Sequence, residues 1–189
     1  MSRRNPFKRS VEVPREVLQV APLRRGEHVL AGTRSRDGGW LLGTRDALYV
    51  VPPRGPGSVD QPSPADSPGE ARIPWESIER ADWDSDEDRL VVSEVGEFGR
   101  IRPQHVFGVS EPGLLLELVR ERVTASVVLQ RRVLTEQKRG LSVIGRRAPA
   151  GGGEVIWAYQ FDPGVDPEDP DVVAAAEAGL RAAQDELGL

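Results

Sequence analysis

The alternation of apolar and polar positions changes character along the chain, and each change marks a different group of elements. Val17, Leu18 and Val20 make a short lead-in that ends at Pro22. From Gly26 onward, brief β-branched and aromatic runs alternate with turn residues, the pattern of consecutive antiparallel strands. Runs at 28–34 and 40–44 flank an Asp37-Gly38-Gly39 turn, and Arg45-Asp46 leads into a third run at 47–51. Further strands are expected at 71–75, 78–83, 89–95 and 98–102, with Pro74 tolerable only near a strand end or edge.

Helical spacing then replaces alternation. Leu115, Leu118, Val119 and Val123 recur every three or four residues, with Glu117, Arg120 and Glu121 on the other side. Pro112 suits the first helical position and Ser110 is placed to cap the free N–H groups, so a helix ending near Thr124 is expected. Thr124, Val127 and Val128 are β-branched and favour a strand over 126–135, a continued helix through Val133 being the alternative. Leu141, Val143 and Ile144 predict a second strand, followed by a glycine-rich turn at 148–153. The cleanest alternation sets Val155, Trp157, Tyr159 and Phe161 against Ile156, Ala158, Gln160 and Asp162, which implies one buried aromatic face. A closing helix over 171–187 carries Val173, Ala176, Leu180, Ala183 and Leu187 along one side. The last third therefore reads as a βββα unit whose sheet needs its helix as a cover.

The division that follows is a flexible basic arm at 1–15, a strand-rich domain at 16–124 and a βββα subdomain at 125–189. Within the middle domain, 52–70 is rich in Pro, Gly, Ser and Asp and lacks the apolar groups that would repay its ordering entropy, so it is expected to be a disordered loop.

Seven short strands and a helix, from Glu27 to about Thr124, resemble the pleckstrin-homology-like (PH-like) fold of small bacterial proteins of actinobacterial type. The residues that carry the resemblance are Gly26-Glu27-His28-Val29-Leu30, then 42–50, and Ile73-Pro74-Trp75-Glu76-Ser77-Ile78. It implies an α+β fold with a seven-stranded antiparallel, partly open barrel closed by a C-terminal helix. In the motif's terms, Thr44 to Leu48 turns a hairpin and sends Leu48 into the core, while Pro74 lets Ile73 and Ile78 seal the barrel. The resemblance implies a binding module and leaves the ligand open. Phosphoinositide binding is not carried over: Arg34, Arg36 and Arg45 stand on the first hairpins, but Asp37 and Asp46 offset two of them.

Charge adds polarity to this picture. The chain has 189 residues and a net charge of −5, yet residues 1–10 hold four bases and no acid. Residues 117–147 hold eight bases against three acids, and 162–189 hold eight acids against a single Arg. A basic middle and an acidic end are expected to face each other within one fold or across a dimer. Lysine occurs only at Lys8 and Lys138, a bias that fits GC-rich bacterial codon usage. With no cysteine, disulfides, thiolate metal sites and thiol catalysis are excluded. No apolar run approaches the roughly 20 residues needed to span a bilayer, and the N-terminal stretch lacks the apolar core of a signal peptide, so a cytoplasmic protein is expected.

Candidate chemistry is sparse. Asp82, Asp84, Asp86 and Asp88 alternate as in an EF-hand loop, but the positions that need Gly and a bidentate Glu hold other residues in both registers, which leaves a solvated hairpin. His28 and His105 lie apart with no nucleophile beside them, and no phosphate-binding or nucleophile-elbow motif occurs. No catalytic residue, cofactor or metal ligand is therefore expected. Trp75, beside Pro74 and near an edge, is the candidate for an exposed partner-binding aromatic, although core packing explains most tryptophans. The doublets Arg131-Arg132, Lys138-Arg139 and Arg146-Arg147 could line one face for a partner. The leading expectation is a non-catalytic scaffold that binds another protein or itself. Membrane or nucleic-acid association through the basic arm and the doublets is the alternative. An enzyme with a dispersed site comes third, its mark being a deep pocket with convergent polar groups.

Overall fold

In the computed structural model, which describes residues 12–53, 72–96, 103–135 and 139–189, the protein is α+β with ten strands in three antiparallel sheets. The first sheet is a meander of β1 (Ala31–Arg34), β2 (Trp40–Gly43), β3 (Ala47–Val51) and β4 (Arg72–Pro74). A 3₁₀ turn, Trp75–Ser77, leads into the second sheet of β5 (Ile78–Asp84), β6 (Arg89–Glu94) and β7 (Gln104–Gly108). A short helix α1 (Arg15–Val20) precedes the first sheet. After the helix α2 (Gly113–Ala125) come β8 (Val127–Leu134), β9 (Gly140–Arg146) and β10 (Ile156–Phe161), ordered β10-β9-β8. The helix α3 (Pro170–Leu187) follows as the last element. Among the described residues no ladder joins the first two sheets into a closed barrel.

Three clusters hold these layers. The largest draws Leu41, Leu48 and Ile73 from the first sheet, Ile78, Leu90 and Val92 from the second, and Leu115, Leu116 and Val119 from α2. The outward face of the first sheet is also covered: Leu42, Ala47, Tyr49 and Val51 pack with Val13, Val17, Val20 and Leu23 of the lead-in. A third cluster sets Leu129, Leu141 and Val143 against Val172, Ala176 and Ala183 of α3, with Trp157, Tyr159 and Phe161 alongside. Every residue of β9 is buried. Leu141 and Val143 face α3, so Ser142, Ile144 and Arg146, two residues apart on the opposite face, must be covered by something other than α3.

Several expectations are corrected. Val13 packs on the first sheet and Arg15 begins α1, so the expected arm does not run as far as 15; residues 1–11 lie outside the described ones. The expected loop at 52–70 and the strand at 98–102 also fall largely or wholly outside them. The strand that follows β6 is β7, beyond Pro103, where His105 and Phe107 sit half-buried while Val106 is 56 % exposed. Ser110 does not cap α2: Pro112 precedes the helix and supplies no capping bond, and the Ser110 hydroxyl accepts from Arg36 Nε at 3.4 Å. The stretch after α2 is a strand, and α3 buries Val172 and Gly179; Leu180 and Leu187 pack on the same cluster as expected, whereas Val173 does not. Asp169 caps α3 by accepting from the Asp171 N–H at 2.9 Å.

Candidate ligand cleft

The most chemically suggestive place in the structure begins with a defect in a ladder. Strands β5 and β6 pair Ile78 with Glu94 and then Arg80 with Ser93, so Glu79 is an extra residue bulged out of register. A bulge disrupts the ladder locally and frees backbone groups for other partners. The Glu79 carbonyl accepts from Arg146 Nη2 at 3.1 Å, a bond from the last residue of β9 across to the second sheet. Arg146 Nη1 donates to the Val123 carbonyl at 3.1 Å and to Ser126 Oγ at 2.8 Å, at the C-terminal end of α2. A cation belongs there, because the last carbonyls of a helix carry partial negative charge. One guanidinium thus joins β5, β9 and the end of α2. Arg146 is 5 % exposed, and burial pulls its pKa below the ordinary value, with Glu79 partly opposing.

Beside this junction lies a partly open cleft of about 560 Å³ between the second and third sheets. Its wall on one side includes Arg80, Ser93 and Gln104, which stand directly opposite one another across β5, β6 and β7. Glu79, Ile144, Arg146 and Gln160 complete the lining. Gln104 Nε2 donates to Ser93 Oγ at 3.3 Å, and Arg80 Nε pairs with Asp82 at 2.8 Å. The lining is polar and holds one carboxylate, one hydroxyl and no imidazole. It offers hydrogen-bond donors and acceptors to a ligand, with Ser93 its hydroxyl and Glu79 its carboxylate.

The residues singled out in the sequence are scattered. Trp75 is fully buried, and its indole N–H donates to the Thr44 carbonyl at 3.1 Å, so its expected place as an exposed partner-site aromatic is overturned. The Arg doublets do not form one basic face. Arg131 pairs with Glu186 of α3 at 3.1 Å, and Arg132 grips Asp162 with both terminal nitrogens, Nη1 at 2.9 Å. Arg146 is buried, Arg147 is half-buried, and Arg139 lies within reach of Gly164. Lys138 lies outside the described residues. The basic middle and acidic end therefore meet inside one chain, as their charges suggested. The acidic hairpin is a turn held by Asp84, which accepts from the backbone of Asp86 and Glu87; these bonds hold its carboxyl below the usual carboxylate range. Among the described residues no group of His, Cys, Asp or Glu side chains could hold a metal ion, and no helix is long and apolar enough to cross a membrane.

The motif residues hold the first sheet to its lead-in. Glu27, nearly buried, accepts from Thr44 Oγ1 at 2.9 Å and pairs with Arg72 at 3.1 Å, while Arg72 Nε donates to the Tyr49 hydroxyl at 3.0 Å. Thr44 also accepts from the N–H groups of Asp46 and Ala47, which closes the hairpin turn. The cleft left no trace in the sequence: a bulge makes no mark in the apolar pattern, and Arg146 stood out only as half of the Arg146-Arg147 doublet. No protein-family model, no curated protein and no solved structure matches the chain.

Proposed function

We propose that this protein is a cytoplasmic, non-catalytic binding module, a PH-like domain with an appended βββα unit, that engages another protein through the cleft between its second and third sheets. The observation that carries the reading is the cleft: a polar, partly open space of about 560 Å³ built by two sheets and tied at one end by buried Arg146. Supporting the PH-like part are the seven strands, divided four and three, that lead into α2, and the way Glu27, Thr44 and Trp75 of the motif lock together. The same polar lining, which holds the Ser93 hydroxyl and the Glu79 carboxylate, is also what the alternative of an enzyme with a dispersed site requires. A basic surface for membrane or nucleic acid gains little support, because Arg131 and Arg132 are spent on Glu186 and Asp162.

A photo-crosslinking residue placed at Gln160 or at Gln104, with Asp86 on the distant hairpin as control, tests the reading in a lysate of the source cells. The same protein should be captured from both cleft positions and not from the control. Equal capture from all three, or capture of none while low-salt vesicles or nucleic acid retain the protein, would overturn it.

A further inference from the structure

We infer that the cleft is selective for a carboxylate of its partner, either an acidic side group or a free C-terminus, held by Arg146 and Arg80. This rests on the proposed role of the cleft as a protein-binding site. Arg146 has five N–H groups, and three are used on Val123, Ser126 and Glu79. The unspent ones are the Nε–H and one N–H of Nη2. Nε is buried and finds no hydrogen-bond partner. Nε and Nη2 form one edge of the planar guanidinium, the edge that grips a carboxylate with two parallel bonds. Arg122 and Arg147 also have buried Nε atoms without partners, but neither residue lines the cleft.

The rest of the wall fits an anion carried on a peptide. Arg80 stays largely exposed and spends Nε on Asp82, which leaves its terminal nitrogens to meet a ligand. Gln104 spends one of its two amide N–H groups on Ser93, which leaves the other to donate and its carbonyl oxygen to accept from a peptide N–H. Gln160 is exposed and brings both a donor and an acceptor. The lining carries two bases against one acid, Glu79, and Arg80 also pairs with Asp82, so no surplus of charge favours a phosphate dianion over a single carboxylate. Because Nε is out of reach of solvent, binding must shift the side chains above it, which makes the Arg146 Nε–H signal a direct reporter.

The test is an NMR titration of the full-length protein that follows the Arg146 Nε–H and the side-chain amides of Gln104 and Gln160. The probes are acetyl-Gly-Asp-Gly-amide, acetyl-Gly-Gly-Gly with a free carboxylate, neutral acetyl-Gly-Asn-Gly-amide, and inorganic phosphate. One of the two carboxylate peptides should shift all three signals in a saturable way, about tenfold tighter than the neutral peptide. Which one does so identifies the source of the carboxylate. Arg80→Gln should weaken that binding about threefold or more without changing the thermal midpoint, since Arg80 is a surface residue. Equal binding of the neutral peptide would overturn carboxylate selectivity and leave the cleft as a protein site. Tighter binding of phosphate would overturn it too, as would the absence of any shift. Partner capture at Gln160 and Gln104 judges the underlying reading separately.

Discussion

Replacing Arg146 with Met removes the guanidinium while keeping much of the length of its stem. The loss is uneven among its three acceptors. The Val123 carbonyl still accepts from Ser126 Oγ at 2.7 Å, so those two groups satisfy each other. The Glu79 carbonyl, at the bulge in the ladder, loses the bond that ties it to β9. A buried carbonyl deprived of its donor costs about 1–3 kcal/mol, and relief from burying a charge offsets part of that. The expected net loss is about 2 kcal/mol, or about 4–8 °C in melting temperature for a protein of this size. Urea unfolding of wild type, Arg146→Met and Arg146→Lys measures it. The Lys variant should recover part of the loss, because one ammonium cannot span both sides of the junction. Amide exchange should also quicken at the β5 bulge and the end of α2 more than in the α3 cluster. Stability within about 0.5 kcal/mol of wild type would refute the claim that this side chain holds the bulge.

Other expectations follow from the same packing. Trp75→Ala should cost about 3–5 kcal/mol by chemical denaturation, because it empties a fully buried site; a surface aromatic would cost almost nothing. Gly140→Ala should cost about 3 kcal/mol or more, since a Cβ there would stand 1.9 Å from the Val133 carbonyl oxygen and the β8–β9 hairpin would have to move. Asp162 has its pKa lowered, first by the Arg132 hydrogen bonds and then by the Gly140 N–H. Its folded pKa lies below the unfolded one, so its contribution is full above the ordinary carboxylate range and is lost as pH falls through the folded value. Asp162→Asn should therefore narrow the stability gap from wild type as pH drops from about 7 toward about 3; a constant gap would count against the linkage.

Much of the architecture was legible because burial writes itself as period. Leu115, Leu118 and Val119 announced α2, and the Trp157, Tyr159, Phe161 alternation announced a strand, although these aromatics pack half-buried on the α3 cluster and the buried residue of β10 is Ala158 on the other face. β7 was harder to see because His105 and Phe107, not an aliphatic run, supply its inward face, and Pro103 reads as a stop. α3 was placed with its buried stripe turned slightly, because Gly179 has no side chain to signal that Val133 packs against it. Trp75 was misread for a related reason: proximity to Pro74 suggested an edge, whereas Pro74 ends β4 and the backbone turns Trp75 inward beneath Thr44. The Arg doublets show the limit of counting charge. Adjacent residues of a strand point to opposite faces, so Arg131 reaches α3 while Arg132 reaches Asp162 at the end of β10. The cleft depends on two sheets far apart in sequence meeting at a bulge, and no local pattern encodes that.

The central claim is that the cleft between the second and third sheets is where a partner protein docks. Gln160→Trp would fill it from an exposed position with little effect on folding. Calorimetric titration of the protein captured from Gln160 and Gln104 against wild type and Gln160→Trp, with thermal midpoints matched, measures the consequence. The account predicts a loss of affinity of about tenfold or more in the filled variant. Unchanged affinity would contradict it.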